Sequence, residues 1–541
     1  MPPDSPAAPS RTPTPAPPRI VPEQIAALRA DLTAASYTVE TTEALLGPVA
    51  VAALRRENPV PARRALEGRT DAAAVLFRLF TLGAVVPRSV IQRALPTLGA
   101  DGASALGLVI PAASRETPGA AEAAEPLLRA AVDLAPYAAS DDAGQIAWWI
   151  ASDLSELATG QALGPDHVLG IGGASLTLAR ITPRTRVATV LDLGCGGGIQ
   201  ALHAARHADH VVATDLSRRA LAFAAFNAAL NDVEIELRHG SLLAPVAGES
   251  FDLIVSNPPF VITPREAGQE EARWTYRDGG RAGDSLLAEL LEAVPAHLAP
   301  GGSAVMLGNW EISRDQPWDA HPRAWLDPAR ADGVDAWVIQ REQEDPAQYA
   351  ETWARDGGIT ERDARWSPLL EAWLDDFAAR DVEGIGFGYL LLRRPDHGAR
   401  SVPALPRPAV LRTEQAAGTG TGSLAAHLAD GLDAIDELAA LDDDALAALR
   451  PVRAADVIER RHFTPGAWDP TLIELAQGAG FARVVRADQI LAATVGALDG
   501  TLTLGQVLAA VCALTDADEH EARARVLPAV RELVISRMVT L

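Results

Sequence analysis

Residues 188–198 read Ala-Thr-Val-Leu-Asp-Leu-Gly-Cys-Gly-Gly-Gly, and a helical stretch from Ile199 to Ala208 follows. A buried-strand run that enters a glycine cluster and leaves as a helix predicts the strand–turn–helix unit of an open α/β sheet. Glycines let the backbone turn sharply there and approach a ligand closely. A dinucleotide fingerprint is the obvious competitor, but its third glycine would fall at Ile199, and Asp192 stands where a pyrophosphate would be repelled. The departure argues against NAD and FAD. An acidic residue before the glycines instead suits a ligand that carries an ammonium and a sulfonium. A second predicted strand, His210 to Thr214, ends in Asp215, at about the distance where an acidic residue meets ribose hydroxyls.

Residues 251–260, Phe-Asp-Leu-Ile-Val-Ser-Asn-Pro-Pro-Phe, form another apolar strand-like run, stopped by Pro258 and Pro259. Two prolines cannot continue a central strand, and they hold Asn257 extended at its end, the carboxyl edge where ligands bind in such sheets. The Asn257 side-chain oxygen and the Pro258 carbonyl are two acceptors with no N–H between them. They suit an amino group with two hydrogens on an aromatic ring or amide carbonyl. Its lone pair is delocalised; pulling on both hydrogens favours a pyramidal nitrogen and stabilises the charge that develops as it attacks carbon. Phe260 offers an aromatic face to a planar substrate. Taken alone, the tetrapeptide also reads as a loop-starting turn.

With these motifs in order, the chain resembles the class I S-adenosylmethionine-dependent methyltransferases, specifically the small-methyltransferase group of N-methyltransferases, over about residues 165 to 310. The resemblance rests on Asp192, Gly194, Cys195, Gly196 and Gly198, on Asp215, and on Asn257 to Phe260. It implies that the glycine loop holds the methionine part of S-adenosyl-L-methionine, that Asp215 with neighbouring Leu216 holds the ribose, and that Ser241 and Leu242 meet the adenine edge. The family often has an acid at the third position, so Ser241 departs from pattern and a backbone amide is expected to read the adenine. Asn257, Pro258 and Phe260 would be the catalytic residues, with Asn257 also among those that bind the cofactor. Asn-Pro-Pro-Phe resembles ribosomal and transfer RNA base methyltransferases; with a Gly-Gly loop such as Asp278 to Gly280 it also resembles enzymes that methylate a glutamine amide in translation release factors.

The chain has 541 residues, enough for three or more domains, and a net charge of −24, which repels phosphate unless basic groups are concentrated locally. One concentration exists between residues 51 and 95, with eight arginines (Arg55, Arg56, Arg63, Arg64, Arg69, Arg78, Arg88, Arg93) against Glu57, Glu67 and Asp71. A solvated helical face accounts for it as readily as a nucleic-acid patch does. There is no lysine, so arginine abundance records composition rather than function. Cys195 and Cys512 are the only cysteines, which excludes a disulfide framework and a cysteine-rich zinc site. Apolar runs break before membrane-spanning length and the N-terminus is proline-rich, so a cytoplasmic protein without membrane contact is expected.

The expected fold is α/β, a Rossmann-like seven-stranded methyltransferase sheet flanked by mainly helical, winged-helix-like N- and C-terminal domains. Breaks in pattern divide the chain into a disordered proline-rich tail (1–20), an N-terminal accessory domain (21–160), the methyltransferase domain (161–396), a linker (397–423) and a C-terminal domain (424–541). Strands are expected near 187–193, 210–214, 233–238, 251–256, 302–308, 334–341 and 387–392, and a terminal strand at 534–541. Two insertions stand out. Thr263 to Asp284, with Trp274, Tyr276 and Gly279, follows the active-site turn and could close over substrate; Asp345 to Ala379 is helical and reads as packing decoration. Gly170 to Thr177 could lie over the cofactor. His203, His207 and His210 imitate zinc-ligand spacing, but with no further ligand motif they read as surface histidines, and no metal is expected. The function so read is transfer of a methyl group to a planar amino or amide nitrogen, leaning to a nucleobase in ribosomal or transfer RNA, with a protein glutamine amide, a peptide or a small metabolite as alternatives.

Overall fold

One sheet of eight strands organises the molecule. The strands are β1 (Val187–Leu193), β2 (Ala208–Asp215), β3 (Glu236–His239), β4 (Phe251–Ser256), β5 (Leu298–Ser313), β6 (Asp335–Glu344), β7 (Val382–Arg393) and β8 (Leu411–Gln415). Their order is β8-β6-β7-β5-β4-β1-β2-β3, with β7 antiparallel to β5 and β6 and the other pairings parallel. The computed structural model describes residues 14–112, 125–141, 143–161, 163–264, 280–396 and 408–541. Central strands are nearly continuous apolar runs, as a sheet covered on both faces requires. Alternate residues supply the two cores: Leu191, Ile254, Met306 and Val338 point to one face, Val190, Leu253, Val305 and Trp337 to the other.

From β1 the chain proceeds to β2 on one side, and after β3 it crosses to β4 on the other. The carboxyl ends of β1 and β4 therefore flank the point where strand order reverses, and a crevice opens there. Serine joins the two ends: Ser256 Oγ donates to the Leu193 carbonyl at 2.8 Å.

The sheet has eight strands rather than seven. The additional one, β8, lies in the stretch expected as linker, of which 397–407 fall outside the described residues. Its sequence Leu-Arg-Thr-Glu-Gln lacks an apolar run, and it is held by its side chains: Glu414 accepts from Trp337 Nε1 at 2.9 Å and from Arg483 Nη2 at 2.6 Å. The third strand begins at Glu236, not Val233.

The N-terminal part contains helices Pro22–Ala34, Val39–Leu54, Val60–Ala65, Ala72–Phe80, Arg88–Ala94 and Gly99–Ala105, and a small sheet in which 127–130 pairs with 86–87 and 109–111. Its core continues into Phe223, Phe226 and Leu230 of the helix Arg218–Leu230 that follows β2. A hairpin, Asp133–Asp141 with Gly144–Ser152, joins the two: Asn227 exchanges hydrogen bonds with Ala151 (2.7 and 3.0 Å) and Asn231 with Trp149 (3.0 and 2.8 Å). The end of the proline-rich tail is also tied down, since Arg19 N–H donates to Leu106 and Arg219 to the Pro15 carbonyl; residues 1–13 lie outside the described residues.

Beyond β8, helices Leu424–Ala439, Gln489–Gly496, Leu504–Thr515 and Glu519–Ile535 enclose another core, together with a three-stranded antiparallel sheet (457–462, 472–477, 484–487) that the sequence reading lacked. The expected terminal strand shrinks to Val539–Thr540, because the last helix continues to Ile535. Among the described residues, no helix is long and apolar enough to cross a membrane.

Candidate functional site

A cavity of about 630 Å³ lies at the carboxyl ends of β1 and β4. Its walls include Asp192, Gly194, Cys195 and Gly196 from the glycine loop, Asp215 and Leu216 after β2, Ser241 and Leu242 after β3, and Asn257 and Pro258 after β4. The structure thus brings together all but two of the residues singled out in the sequence. Gly198 stands behind the wall. It has φ +83°, and a Cβ there would come within 3.0 Å of Ala224 Cβ, so both conformation and close packing on the next helix demand glycine. Gly194 and Gly196 differ: a Cβ on either would meet nothing, which leaves the cavity side of the loop open to a ligand.

The loop is shaped by its own acids. Asp192 is buried and accepts from Ala201 N–H at 2.9 Å, inside the helix Ile199–Ala204. Burial, with Asp215 adding repulsion, pushes its carboxyl up to about 7. Asp215 accepts from Gly196 N–H at 2.9 Å and Ser217 N–H at 2.7 Å, and burial raises it as well. Two poorly solvated carboxyls facing one cavity favour a cation or hydroxyl donors. Cys195 is buried and its thiol is pushed up by burial, so its small size suffices to explain it.

The Asn257 Oδ1 atom is buried and, among the described residues, has no hydrogen-bond partner. A buried amide acceptor left unmade costs roughly 1–3 kcal/mol, so this one is poised for a donor that the described residues do not supply. Phe260 is not on the cavity wall. It packs into the core of one sheet face and meets Trp353 edge to face at 6.4 Å between ring centres. A side chain from the 345–379 insertion shares that neighbourhood, and stacking of the half-buried Phe260 ring on a substrate stays a proposal.

Residues 167–172, 174 and 175 line the cavity on another side, where the 170–177 segment was expected, and Asp356 and Arg281 also reach it. Asp356 carried no motif in the sequence and was missed. Of the expected closing loop 263–284, residues 265–279 lie outside the described residues. The three histidines are not alike, and two are not on the surface. His203 is buried against Tyr137 Oη at 2.8 Å and held down to about 3 by burial and nearby arginines; His207 is buried beside the Thr185 carbonyl; His210 is exposed and pairs with Glu236.

Residues 170–274 match the family described as the methyltransferase small domain, and residues 34–121 match a family described as a domain of unknown function (DUF7059). The chain is 32% identical over 177 residues to the ribosomal protein uL3 glutamine methyltransferase of Bradyrhizobium diazoefficiens, covering 31% of this chain and 55% of that protein. It is 40% identical over 123 residues to the release factor glutamine methyltransferase of Geobacter sulfurreducens (21% and 43% covered). Over 139 residues it is 31% identical to the ribosomal RNA small subunit methyltransferase C of Escherichia coli (25% and 35% covered). The chain spans about half or less of the length of these curated relatives.

Proposed function

We propose that this chain, which carries a methyltransferase small domain, is an S-adenosylmethionine-dependent methyltransferase acting on a planar amino or amide nitrogen. The observation that supports this best is the buried Asn257 Oδ1 at the end of β4, without a partner among the described residues, on the wall of a cavity whose opposite side is an open glycine loop between two carboxyls. The cavity lies within the usual range for small-molecule sites, roughly 300–1,000 Å³.

The residues fit the cofactor by charge and shape. Gly194 and Gly196 would leave room for its methionine part, Asp192 would face its cationic end, Asp215 would take ribose hydroxyls, and Ser241 and Leu242 would border the adenine. When bound, the group supplies an electrophilic methyl. Asn257 Oδ1 and the Pro258 carbonyl would accept hydrogen bonds from both N–H groups of the acceptor nitrogen, orient its lone pair, and stabilise the charge that grows on nitrogen.

The carrier of that nitrogen is read first as RNA, through a nucleobase amino group. A cleft of about 600 Å³ in the N-terminal part is lined by Arg63, Arg64 and Arg78 against a single acid, Glu67, a place for phosphates on an otherwise acidic chain. The helices and small sheet around it are read as a winged-helix-like accessory. A protein glutamine amide is the second reading, favoured by the chain's net charge of −24 and by Asp356 on the cavity wall. The test is transfer of labelled methyl from S-adenosylmethionine into fractionated lysate. Label in RNA supports the first reading and label in protein the second; no label in any macromolecular or small-molecule fraction would overturn the function.

A further inference from the structure

The insertion between β6 and β7 reaches back to the active-site loop and holds it at Ile262. It forms two helices, Pro346–Asp356 and Trp366–Ala379. Tyr349 Oη accepts the Ile262 N–H at 2.9 Å, and Trp373 Nε1 donates to the Ile262 carbonyl at 2.7 Å. Both backbone groups of Ile262 are thus held by side chains from about 90 to 110 positions away, and Ile262, Tyr349 and Trp373 are all essentially inaccessible to solvent. Asn309 Nδ2 of β5 donates to the same Tyr349 oxygen at 2.9 Å, which ties the clamp to the sheet. Burial raises the Tyr349 phenol far above neutral pH, so the clamp does not titrate under ordinary conditions.

The other end of the loop is equally fixed, because Ser256 sits in register between Leu193 and Met306 and bonds to the Leu193 carbonyl. Between the two anchors run Asn257, Pro258, Pro259, Phe260 and Val261. The prolines have no N–H, so they cannot secure themselves through donor bonds. On the first insertion helix, Tyr349, Trp353 and Asp356 follow at i, i+4 and i+7, one face of a helix. These three respectively clamp Ile262, pack on Phe260, and line the cavity.

We propose that Tyr349 and Trp373 are positioning residues: by gripping Ile262 they hold Asn257 Oδ1 and the Pro258 carbonyl where the acceptor nitrogen must sit. The inference rests on the N-methyltransferase reading and names what makes its acceptor side rigid. Misplacement of a reacting group by about 1 Å costs up to roughly a hundredfold in rate, so the clamp's effect belongs in turnover, not in cofactor binding.

The test compares the full chain with Tyr349→Phe, Trp373→Phe and a packing control, Ile385→Ala, which lies in the same apolar cluster without a hydrogen bond to Ile262. Three quantities are read: amide exchange of the peptide containing 257–264, S-adenosylmethionine affinity by calorimetry, and kcat for label transfer into the total RNA and total protein of a lysate. Expected for Tyr349→Phe is at least about tenfold faster exchange in that peptide and a kcat lowered roughly tenfold to a hundredfold, with cofactor affinity unchanged. Trp373→Phe moves the same way, and Ile385→Ala loses melting temperature but keeps loop protection and kcat. Unchanged loop exchange in both clamp variants, or equal loss in Ile385→Ala, overturns the clamp. Absence of label with the unmodified chain overturns the function instead and leaves the exchange result to judge the clamp separately.

Discussion

The two walls of the cavity are built differently. The glycine-loop wall is local: Asp192 to Gly198 and Asp215 shape themselves through their own backbone, with Gly194 and Cys195 N–H both donating to the Thr214 carbonyl at 2.9 Å. The Asn257 wall is assembled from afar: its acceptor oxygen is presented by a loop whose exit is gripped by Tyr349 and Trp373 and whose phenylalanine meets Trp353 edge to face. A backbone cradle suits a ligand that must be bound, whereas a loop fixed at both ends suits a reaction that must be aimed. Substitutions on the two walls should therefore fail differently.

The largest effect is expected at Asn257. Asn257→Ala removes the orphaned acceptor and should lower kcat by roughly a hundredfold to a thousandfold while calorimetric cofactor affinity stays within about twofold. If affinity fell with kcat, the two walls would not be separable. On the other wall, Gly198→Ala must adopt φ +83° and crowd Ala224, at a cost of roughly 1–3 kcal/mol. It should lower melting temperature and weaken cofactor binding, with kcat at saturating cofactor much less affected.

How much of this was legible follows the same division. The glycine loop, Asp215 and Asn-Pro-Pro were readable because each function lies in a contiguous run whose backbone demands are visible in residue type. The contact of Phe260 with Trp353 was not legible because Trp353 stands about 90 positions later and is brought there by folding. β8 was hidden because Leu-Arg-Thr-Glu-Gln is polar, and its partner for Glu414, Arg483, comes from the C-terminal part. His203 passed for a surface residue because the hairpin bearing Tyr137, which buries it, belongs to a segment expected in another domain.

A smaller effect sharpens the cofactor wall. The folded value of Asp192, about 7, lies above the ordinary carboxyl value of about 4. With the folded state holding its proton more tightly, this group makes the ligand-free chain lose stability as pH rises from about 4 to about 7. A cationic ligand favours the ionised form, so cofactor affinity should rise over the upper part of that range, by up to about tenfold per unit, with proton release on binding. Calorimetry in buffers of different ionisation enthalpy measures this, and Asp192→Asn should remove most of the slope. Smallest of all is Phe260→Leu: because the ring packs on Trp353 away from the cavity wall, kcat should fall less than about tenfold, and a larger fall would restore direct stacking on substrate.

The central claim is that the methyl group goes to a planar nitrogen whose hydrogens Asn257 and Pro258 hold. Mass spectrometry of nuclease and protease digests, after reaction of lysate with the chain and labelled S-adenosylmethionine, tests this most directly. The account predicts the label on an exocyclic base nitrogen or a side-chain amide nitrogen, absent from digests made with Asn257→Ala. Label on an oxygen or carbon, or label that persists in the variant, would contradict it.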